Sequence, residues 1–254
     1  MTPQPRLPAV MPISDNSEPQ NNNPTQSDKT PMGKQIQLST SGTQCIGAYL
    51  AKPDGTPKGG IVVVQEIFGV NQHMRNVTDR FAAHGYVAIA PALFDHVESG
   101  VELGYDEAGF ARGRQLVGEI SFEMALEDVA SAAESIRSAG RIGCVGYCWG
   151  GTVAFLAATR LAMPSVSYYG ARNVKFLDEP PRAPVQFHFG ERDTSIPAEA
   201  IARHREVMPD AEIYTYPAGH AFDRDVDPKA YDSASAKLAL ERTLAFFDRH
   251  LAAA

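Results

Sequence analysis

Short apolar runs and amphipathic stretches alternate along this chain. The run at residues 59–65 is rich in β-branched residues and lacks polar alternation, which is typical of a strand buried on both faces of a mostly parallel sheet. Phe122, Leu126 and Val129 recur at helical spacing after a serine that can cap them. The alternation predicts a single α/β domain, with a central sheet flanked by helices. Predicted strands cover residues 35–38, 45–50, 59–65, 86–91, the run ending at 148, 164–170, 185–190 and 212–216; predicted helices cover about 71–84, 106–119, 122–136, 151–161, 198–208 and 235–251.

The first of these helices follows Asn71, a favoured N-cap, and ends at Gly85. Phe81 lies on its apolar face. We therefore expect His73 and His84 on its polar side. Residues 93–104 lack periodicity and are expected to form a loop after the preceding strand.

The N-terminal segment differs from the rest of the chain in composition. Residues 1–33 are rich in Pro, Asn, Gln, Ser and Thr, with almost no apolar periodicity. Such a segment cannot bury enough surface to offset its ordering entropy. We expect a disordered tail over residues 1–33 and one folded domain over residues 34–254. The tail also lacks the basic and apolar regions of a secretory signal, which favours a cytoplasmic protein.

Charge and cysteine content exclude several functional classes. The 254 residues carry a formal net charge of -7 and no Lys/Arg cluster, which argues against a nucleic-acid partner. No apolar run is long enough to cross a bilayer. Cys45, Cys144 and Cys148 are too few for a disulfide framework and lack metal-ligand spacing. We expect neither a metal nor another cofactor; the oligomeric state stays open, with a monomer favoured.

The candidate chemistry centres on Cys148. Residues 146–150, Gly-Tyr-Cys-Trp-Gly, have the form Gly-x-nucleophile-x-Gly, in which a tight strand-to-helix turn exposes a nucleophile above a sheet. Glycines are needed there because the turn brings neighbouring elements close together. On this motif alone, an inert buried cysteine is as good an interpretation as a nucleophile.

Two other polar residues change that balance. Asp193 and His220 each follow a predicted strand, so both are expected at the same sheet edge as Cys148. Each alone could be an ordinary turn or surface residue, but the order nucleophile, acid, histidine is that of α/β-hydrolases. Glu66 follows a buried strand at this edge as well. By itself that position favours a solvated acid or a capping partner.

Five short segments share the pattern of a known family. They are residues 65–71 (Gln-Glu-Ile-Phe-Gly-Val-Asn), 146–151 (Gly-Tyr-Cys-Trp-Gly-Gly), 168–170 (Tyr-Tyr-Gly), 190–193 (Gly-Glu-Arg-Asp) and 218–222 (Ala-Gly-His-Ala-Phe). Over roughly residues 35–251 the chain resembles the dienelactone hydrolase family, whose members have the α/β-hydrolase fold. A cysteine at the elbow is otherwise unusual in that fold.

The resemblance implies a role for each matching residue. Cys148 would be the nucleophile, His220 its general base and Asp193 the acid that orients the imidazole. Backbone N–H groups of Trp149 and Ile67 would form the oxyanion hole, in agreement with the general arrangement of this fold.

Glu66 acquires a functional role through the same resemblance. The matching acid in the family interacts with the resting thiol and helps substrate to activate it. A carboxylate near Cys148 would disfavour the thiolate. Our hypothesis is that Glu66 keeps Cys148 neutral until substrate displaces the carboxylate.

The substrate-binding residues of the family are matched less well by this chain. Family members hydrolyse dienelactone, an unsaturated cyclic ester that bears a carboxylate, and hold that carboxylate with two arginines. Arg224 matches one of them. The other is expected shortly after residues 90–94, where this chain has an aspartate and His96, a poorer partner for a carboxylate than a guanidinium. Arg112 or Arg114 could supply the missing charge. Substrate-binding roles are also expected for Tyr169 and Phe68.

We therefore expect a cofactor-free hydrolase of small esters or lactones, with a carboxylate-bearing small molecule as its substrate. Cys148 would form an acyl-enzyme that water hydrolyses. Three alternatives stay open: a broader carboxylesterase or thioesterase, a non-catalytic binding protein with this fold, and a redox sensor that pairs Cys148 with Cys144.

Overall fold

The structure, a computed structural model, describes residue 1, residues 33–40 and residues 44–252. In this part of the chain, eight strands and six α-helices follow one another: β1 (Lys34–Ser39), β2 (Cys45–Ala51), β3 (Gly60–Val64), α1 (Gln72–Ala83), β4 (Val87–Pro91), α2 (Glu107–Glu119), α3 (Phe122–Ser135), β5 (Ile142–Tyr147), α4 (Trp149–Arg160), β6 (Ser165–Tyr168), β7 (Val185–Gly190), α5 (Ala198–Val207), β8 (Glu212–Tyr216) and α6 (Ser233–Leu251).

These strands form one sheet in the order β1-β2-β4-β3-β5-β6-β7-β8. β2 pairs antiparallel with both β1 and β4, and all the other neighbours pair parallel. The carboxyl ends of β3, β5, β7 and β8 therefore lie along one edge, where a parallel sheet places its ligands.

The central strands, β3 to β7, are buried on both faces of the sheet, which explains why they lack polar alternation. In β3, Ile61 and Val63 pack on one side with residues of α1 and α6, and Val62 and Val64 pack on the other with residues of α3. All four side chains are fully buried. Burying an aliphatic side chain of this size stabilises a fold by roughly 1.5–3 kcal/mol.

The sequence-based prediction of the fold is confirmed, and each predicted element lies within about two residues of its expected bounds. Helix α4 begins before Gly151 because Cys148 itself is the N-cap residue. The expected loop after β4 contains a short 3₁₀ turn, Leu93–His96.

One prediction about α1 is wrong. His84 is exposed, as expected for the polar side of the helix. The His73 side chain is 0% exposed, and its Nδ1 donates to Asp225 Oδ1 at 3.0 Å. His73 is buried because the loop that follows β8 covers this face of the helix.

No helix within residues 33–40 and 44–252 is long and apolar enough to span a membrane. The predicted tail, residues 1–33, lies outside the described residues apart from its first and last positions. The division into tail and domain stays a prediction.

Candidate active site

Cys148 lies in a tight turn between β5 and α4. Its backbone φ is 56°, in a region that side chains disfavour. A Cβ at Gly146 would lie 1.8 Å from the carbonyl oxygen of Gly150, and a Cβ at Gly150 would lie 2.4 Å from that of Gln65. Only glycine fits at these positions, and the turn holds the half-buried cysteine at the carboxyl edge of the sheet.

The loops after β7 and β8 bring an acid and a histidine together. Backbone hydrogen bonds join the two loops, including one from Arg192 N–H to the carbonyl oxygen of Ala218 at 2.9 Å. His220 Nδ1 donates to Asp193 Oδ2 at 2.6 Å, and Ser195 N–H donates to Asp193 Oδ1 at 2.8 Å. The Asp193 carboxylate is fully buried and held on both oxygens, so it fixes the orientation of the imidazole.

The protonation of His220 follows from its neighbours. Burial lowers the pKa of His220, but the Cys148 sulfur and the hydrogen bond to Asp193 outweigh burial and raise it to about 10. A cationic imidazole in this position can donate a proton during a reaction at the sulfur. The arrangement can therefore supply both a nucleophile and a proton donor.

Backbone strain is concentrated around these residues. Among the described residues, four non-glycine residues have a positive φ, and three of them are Cys148, Tyr169 (39°) and Ala221 (60°). Ala221 directly follows His220, and the rings of Tyr169 and His220 lie 5.1 Å apart. Such strain persists only where surrounding packing enforces it, and it is common at functional sites.

Two backbone N–H groups at this edge point to a common role. Trp149 is the first residue of α4, and Ile67 lies on the turn after β3. Within residues 33–40 and 44–252, neither of their N–H groups donates to a protein acceptor. Donors placed just after a nucleophile and just after an early strand are what a tetrahedral oxyanion requires.

Glu66 forms a buried ion pair with Arg224. Arg224 Nε and Nη2 donate to the two Glu66 carboxylate oxygens, each at 3.0 Å, and the side chains are 4% and 1% exposed. Burial raises the pKa of Glu66, but Arg224 outweighs burial and holds the pKa below its ordinary value. No hydrogen bond among the described residues joins Glu66 to Cys148, so the resting partner of this acid is the arginine rather than the thiol.

Aromatic rings and a second acid complete the surroundings of Arg224. Its guanidinium carbon lies 4.3 Å from the centroid of the Tyr105 ring and 5.0 Å from that of Phe68. Nη1 donates to Asp227 Oδ2 at 3.2 Å. Cation–π contacts on the guanidinium and carboxylates on its edges hold this side chain in one place.

Comparison with known proteins identifies the family of this chain. The model of the dienelactone hydrolase family matches residues 46–251. The chain belongs to this family. As a member of it, the chain is a hydrolase of the α/β class.

Individual relatives agree with this assignment. The chain is 33% identical to carboxymethylenebutenolidase of Pseudomonas putida over 223 residues, which covers 83% of this chain and 94% of that protein. It is 30% identical to carboxymethylenebutenolidase 1 of Cupriavidus pinatubonensis, covering 82% and 94% of the two chains. The solved structure of a "Putative Dienelactone Hydrolase" from Klebsiella pneumoniae has a TM-score of 0.73 and 30% identity, covering 85% of this chain and 98% of its own.

Three other residues considered for substrate binding have partners or positions of their own. His96 Nε2 bonds to Asp128 Oδ2 on α3 at 2.8 Å. Arg112 pairs with Glu98 near the surface, and the Arg114 side chain is exposed. Among the described residues, no hydrogen bond joins any of these three to Arg224 or Cys148. A substrate-binding role for His96 stays a prediction.

Tyr169 and Phe68 lie within the site but are fully buried. Phe68 packs edge-on against Tyr105, with ring centroids 4.8 Å apart, and the guanidinium of Arg224 lies over its ring. In the resting structure they shape the positions of His220 and Arg224, and direct contact with substrate stays a prediction for both.

The sequence interpretation missed Tyr105 and the acid Asp227. Tyr105 lies between the expected loop, residues 93–104, and the expected helix that begins at about residue 106. Its hydroxyl accepts from Asn71 Nδ2 at 2.9 Å, which ties it to the start of α1. No local pattern reveals such a contact, because it joins residues 34 positions apart.

Proposed function

We propose that this chain hydrolyses a small, carboxylate-bearing ester or lactone through an acyl-enzyme on Cys148. The observation that carries the proposal is the 2.6 Å bond between His220 and Asp193, at the sheet edge where the strained elbow presents the cysteine. Relatives described as carboxymethylenebutenolidases support a lactone as the substrate.

The mechanism follows from the charges in the site. The Cys148 sulfur attacks the carbonyl carbon, and the N–H groups of Trp149 and Ile67 stabilise the oxyanion. The imidazolium of His220 gives its proton to the leaving oxygen as the C–O bond breaks. Water then attacks the thioester, His220 takes a proton from it, and the acid is released with the sulfur restored.

Arg224 is the group proposed to bind the substrate carboxylate. Its Nε and Nη2 edge is already occupied by Glu66, so a second carboxylate can bind there only when Glu66 leaves. Substrate binding would thus release the carboxylate of Glu66 from its buried ion pair. This exchange is the proposed form of the role of Glu66, in place of a resting contact with the thiol.

The other interpretations receive less support. A redox sensor would need Cys144 as a resolving thiol, but Cys144 is fully buried and burial raises its pKa well above the ordinary value. A pure binding protein would not require an oriented imidazole at a strained cysteine.

All three cysteines are free thiols, which supports the proposed reducing, cytoplasmic location.

The proposal is tested by comparing dienelactone with its methyl ester, which has the same ring but no charge. Because a truncated buried charge pair weakens binding strongly, we expect kcat/KM for cis- or trans-dienelactone to exceed that for the methyl ester by on the order of 10²-fold. Equal rates would favour a broader carboxylesterase. If neither these compounds nor p-nitrophenyl acetate were hydrolysed, the binding-protein interpretation would replace the proposal.

A second prediction concerns His220. In a Cys45→Ser background, which removes the exposed thiol, the rate of Cys148 alkylation by iodoacetamide is expected to rise less steeply between pH 6 and 9 than in His220→Asn. The reason is that the His220 imidazole, whose pKa is raised to about 10, keeps its positive charge beside the sulfur over this range. In His220→Asn the rate should rise steeply with pH, as for an ordinary thiol. Identical profiles for the two proteins would contradict the ion pair.

A further inference from the structure

The loop that carries His220 is attached to helix α1 by two carboxylates. Arg80 Nη2 donates to Asp223 Oδ2 at 2.5 Å, and His73 Nδ1 donates to Asp225 Oδ1 at 3.0 Å. The Asp223 and His73 side chains are both 0% exposed. These contacts lie outside the residues to which the proposed reaction assigns a step.

Their partners on α1 form one polar stripe. His73, Asn76 and Arg80 occupy positions i, i+3 and i+7, which share a helix face. Asn76 Nδ2 also donates to Asp225, at 3.3 Å. Residues 73 and 80 are about 10 Å apart along the helix, and the two acids that they bind are two residues apart in the loop. The two attachments therefore fix the position of the loop along the helix.

A carboxylate at position 223 is costly for the fold. Burial raises the pKa of Asp223, and Arg80 only partly offsets it. Asp223 Oδ1 has no partner among the described residues. Apolar contacts already anchor the loop at Phe222, whose ring packs 5.3 Å from Tyr169. A buried acid in addition to an apolar anchor indicates a requirement other than stability.

Arg224 lies between the two acids in sequence and faces Glu66 instead of α1. In the proposed function, substrate and Glu66 exchange at this arginine. A loop held by Arg224 alone would shift at each exchange, and His220, four residues earlier, would shift with it.

We propose that Asp223 and Asp225 are positioning residues that fasten the His220 loop to α1, so that the histidine keeps its place beside Cys148 while Arg224 changes partners. This inference rests on the proposed function. The two acids touch neither substrate nor the reacting atoms, and they act through the loop.

The test compares Asp225→Ala with Asp225→Asn and with Asp79→Asn, all in the Cys45→Ser background. The Asp225 side chain is 34% exposed, so its variants are expected to fold. Asp79 is the matched control, because it is an acid on α1 that accepts from the Tyr49 hydroxyl at 3.0 Å, away from the loop. The measurements are iodoacetamide alkylation of Cys148 against pH, kcat and KM for p-nitrophenyl acetate, and Tm.

Asp225→Ala is expected to lower the neutral-pH alkylation rate roughly tenfold and to make it rise with pH. Its kcat should fall by on the order of 10²-fold, as for a displaced catalytic group, with KM little changed. Asp225→Asn, which can still accept from His73, should restore most of both rates. Asp79→Asn should alter Tm alone.

Two results would overturn the inference. One is an Asp225→Ala protein whose alkylation profile and kcat match the wild type even though its Tm falls. The other is a rise in KM with kcat unchanged. The alkylation profile needs no substrate, so it decides the role of the loop even if the wild type hydrolyses no ester, an outcome that would contradict only the proposed function.

Discussion

Cys148→Ala is expected to lower kcat for p-nitrophenyl acetate by roughly 10⁴- to 10⁶-fold, as loss of a covalent nucleophile does elsewhere. The methyl group of alanine cannot form the thioester, while the oxyanion donors and His220 stay in place. Alanine tolerates the positive φ at this position about as well as cysteine does. Tm should therefore stay close to that of the wild type, and the loss of activity can then be separated from a loss of folded protein.

Cys45→Ser is the matched control for this experiment. It also removes one thiol, but an exposed one on β2, and kcat should be unchanged. Near-wild-type hydrolysis by Cys148→Ala would exclude the acyl-enzyme mechanism. Substrate depletion should be measured, and acyl-enzyme formation should be followed by the mass of the intact protein. Only the wild type is expected to gain the mass of the acyl group.

Arg224→Met is expected to destabilise the fold by about 3–5 kcal/mol at pH 7, because it leaves the carboxylate of Glu66 buried without its main partner. The effect should depend on pH. In the wild type, Arg224 holds the pKa of Glu66 below its ordinary value near 4.5, so this pair stabilises the fold above that pH and loses its contribution as the pH falls. In the variant, Arg224 no longer offsets burial, so Glu66 becomes neutral more readily. The difference between the two proteins should narrow toward pH 4.5.

Urea unfolding at pH 7 and at pH 4.5 measures this difference. The double variant Glu66→Gln, Arg224→Met should be more stable at pH 7 than Arg224→Met alone, because the buried charge of Glu66 is removed together with that of its partner. Arg203→Met removes an exposed pair with Glu206 and should change stability by less than about 0.5 kcal/mol. A loss below about 1 kcal/mol in Arg224→Met would mean that water reaches Glu66 and that the pair is not a buried one.

Features that depend on adjacent residues were predicted most accurately from the sequence. The buried runs, the capped helices and the elbow glycines are each determined by a few adjacent residues, and the elements follow within about two residues. The chain order of Cys148, Asp193 and His220 could be interpreted because strand ends of a parallel sheet converge. The structure then adds the 2.6 Å contact between the acid and the histidine.

Contacts between residues far apart in the chain could not be predicted from the sequence. Polar residues on α1 suggested a solvated face, yet the loop after β8 covers His73 with an acid from 152 residues away. The bond between the His96 ring and Asp128, whose pKa burial raises to about 6, was likewise not foreseen, while the expected role of His96 in substrate binding stays a prediction. The direction of a side chain beyond a strand end depends on neighbours that no local pattern specifies.

Ala221, in the left-handed region directly after His220, has a consequence for the unbound enzyme. Glycine would adopt that φ of 60° with less strain, by about 1 kcal/mol, but it would also permit many other backbone angles. The alanine methyl group excludes most of these conformers. The fold is slightly less stable as a result, and the imidazole samples a narrower ensemble before any ligand arrives, so less entropy remains to be lost when the reaction begins.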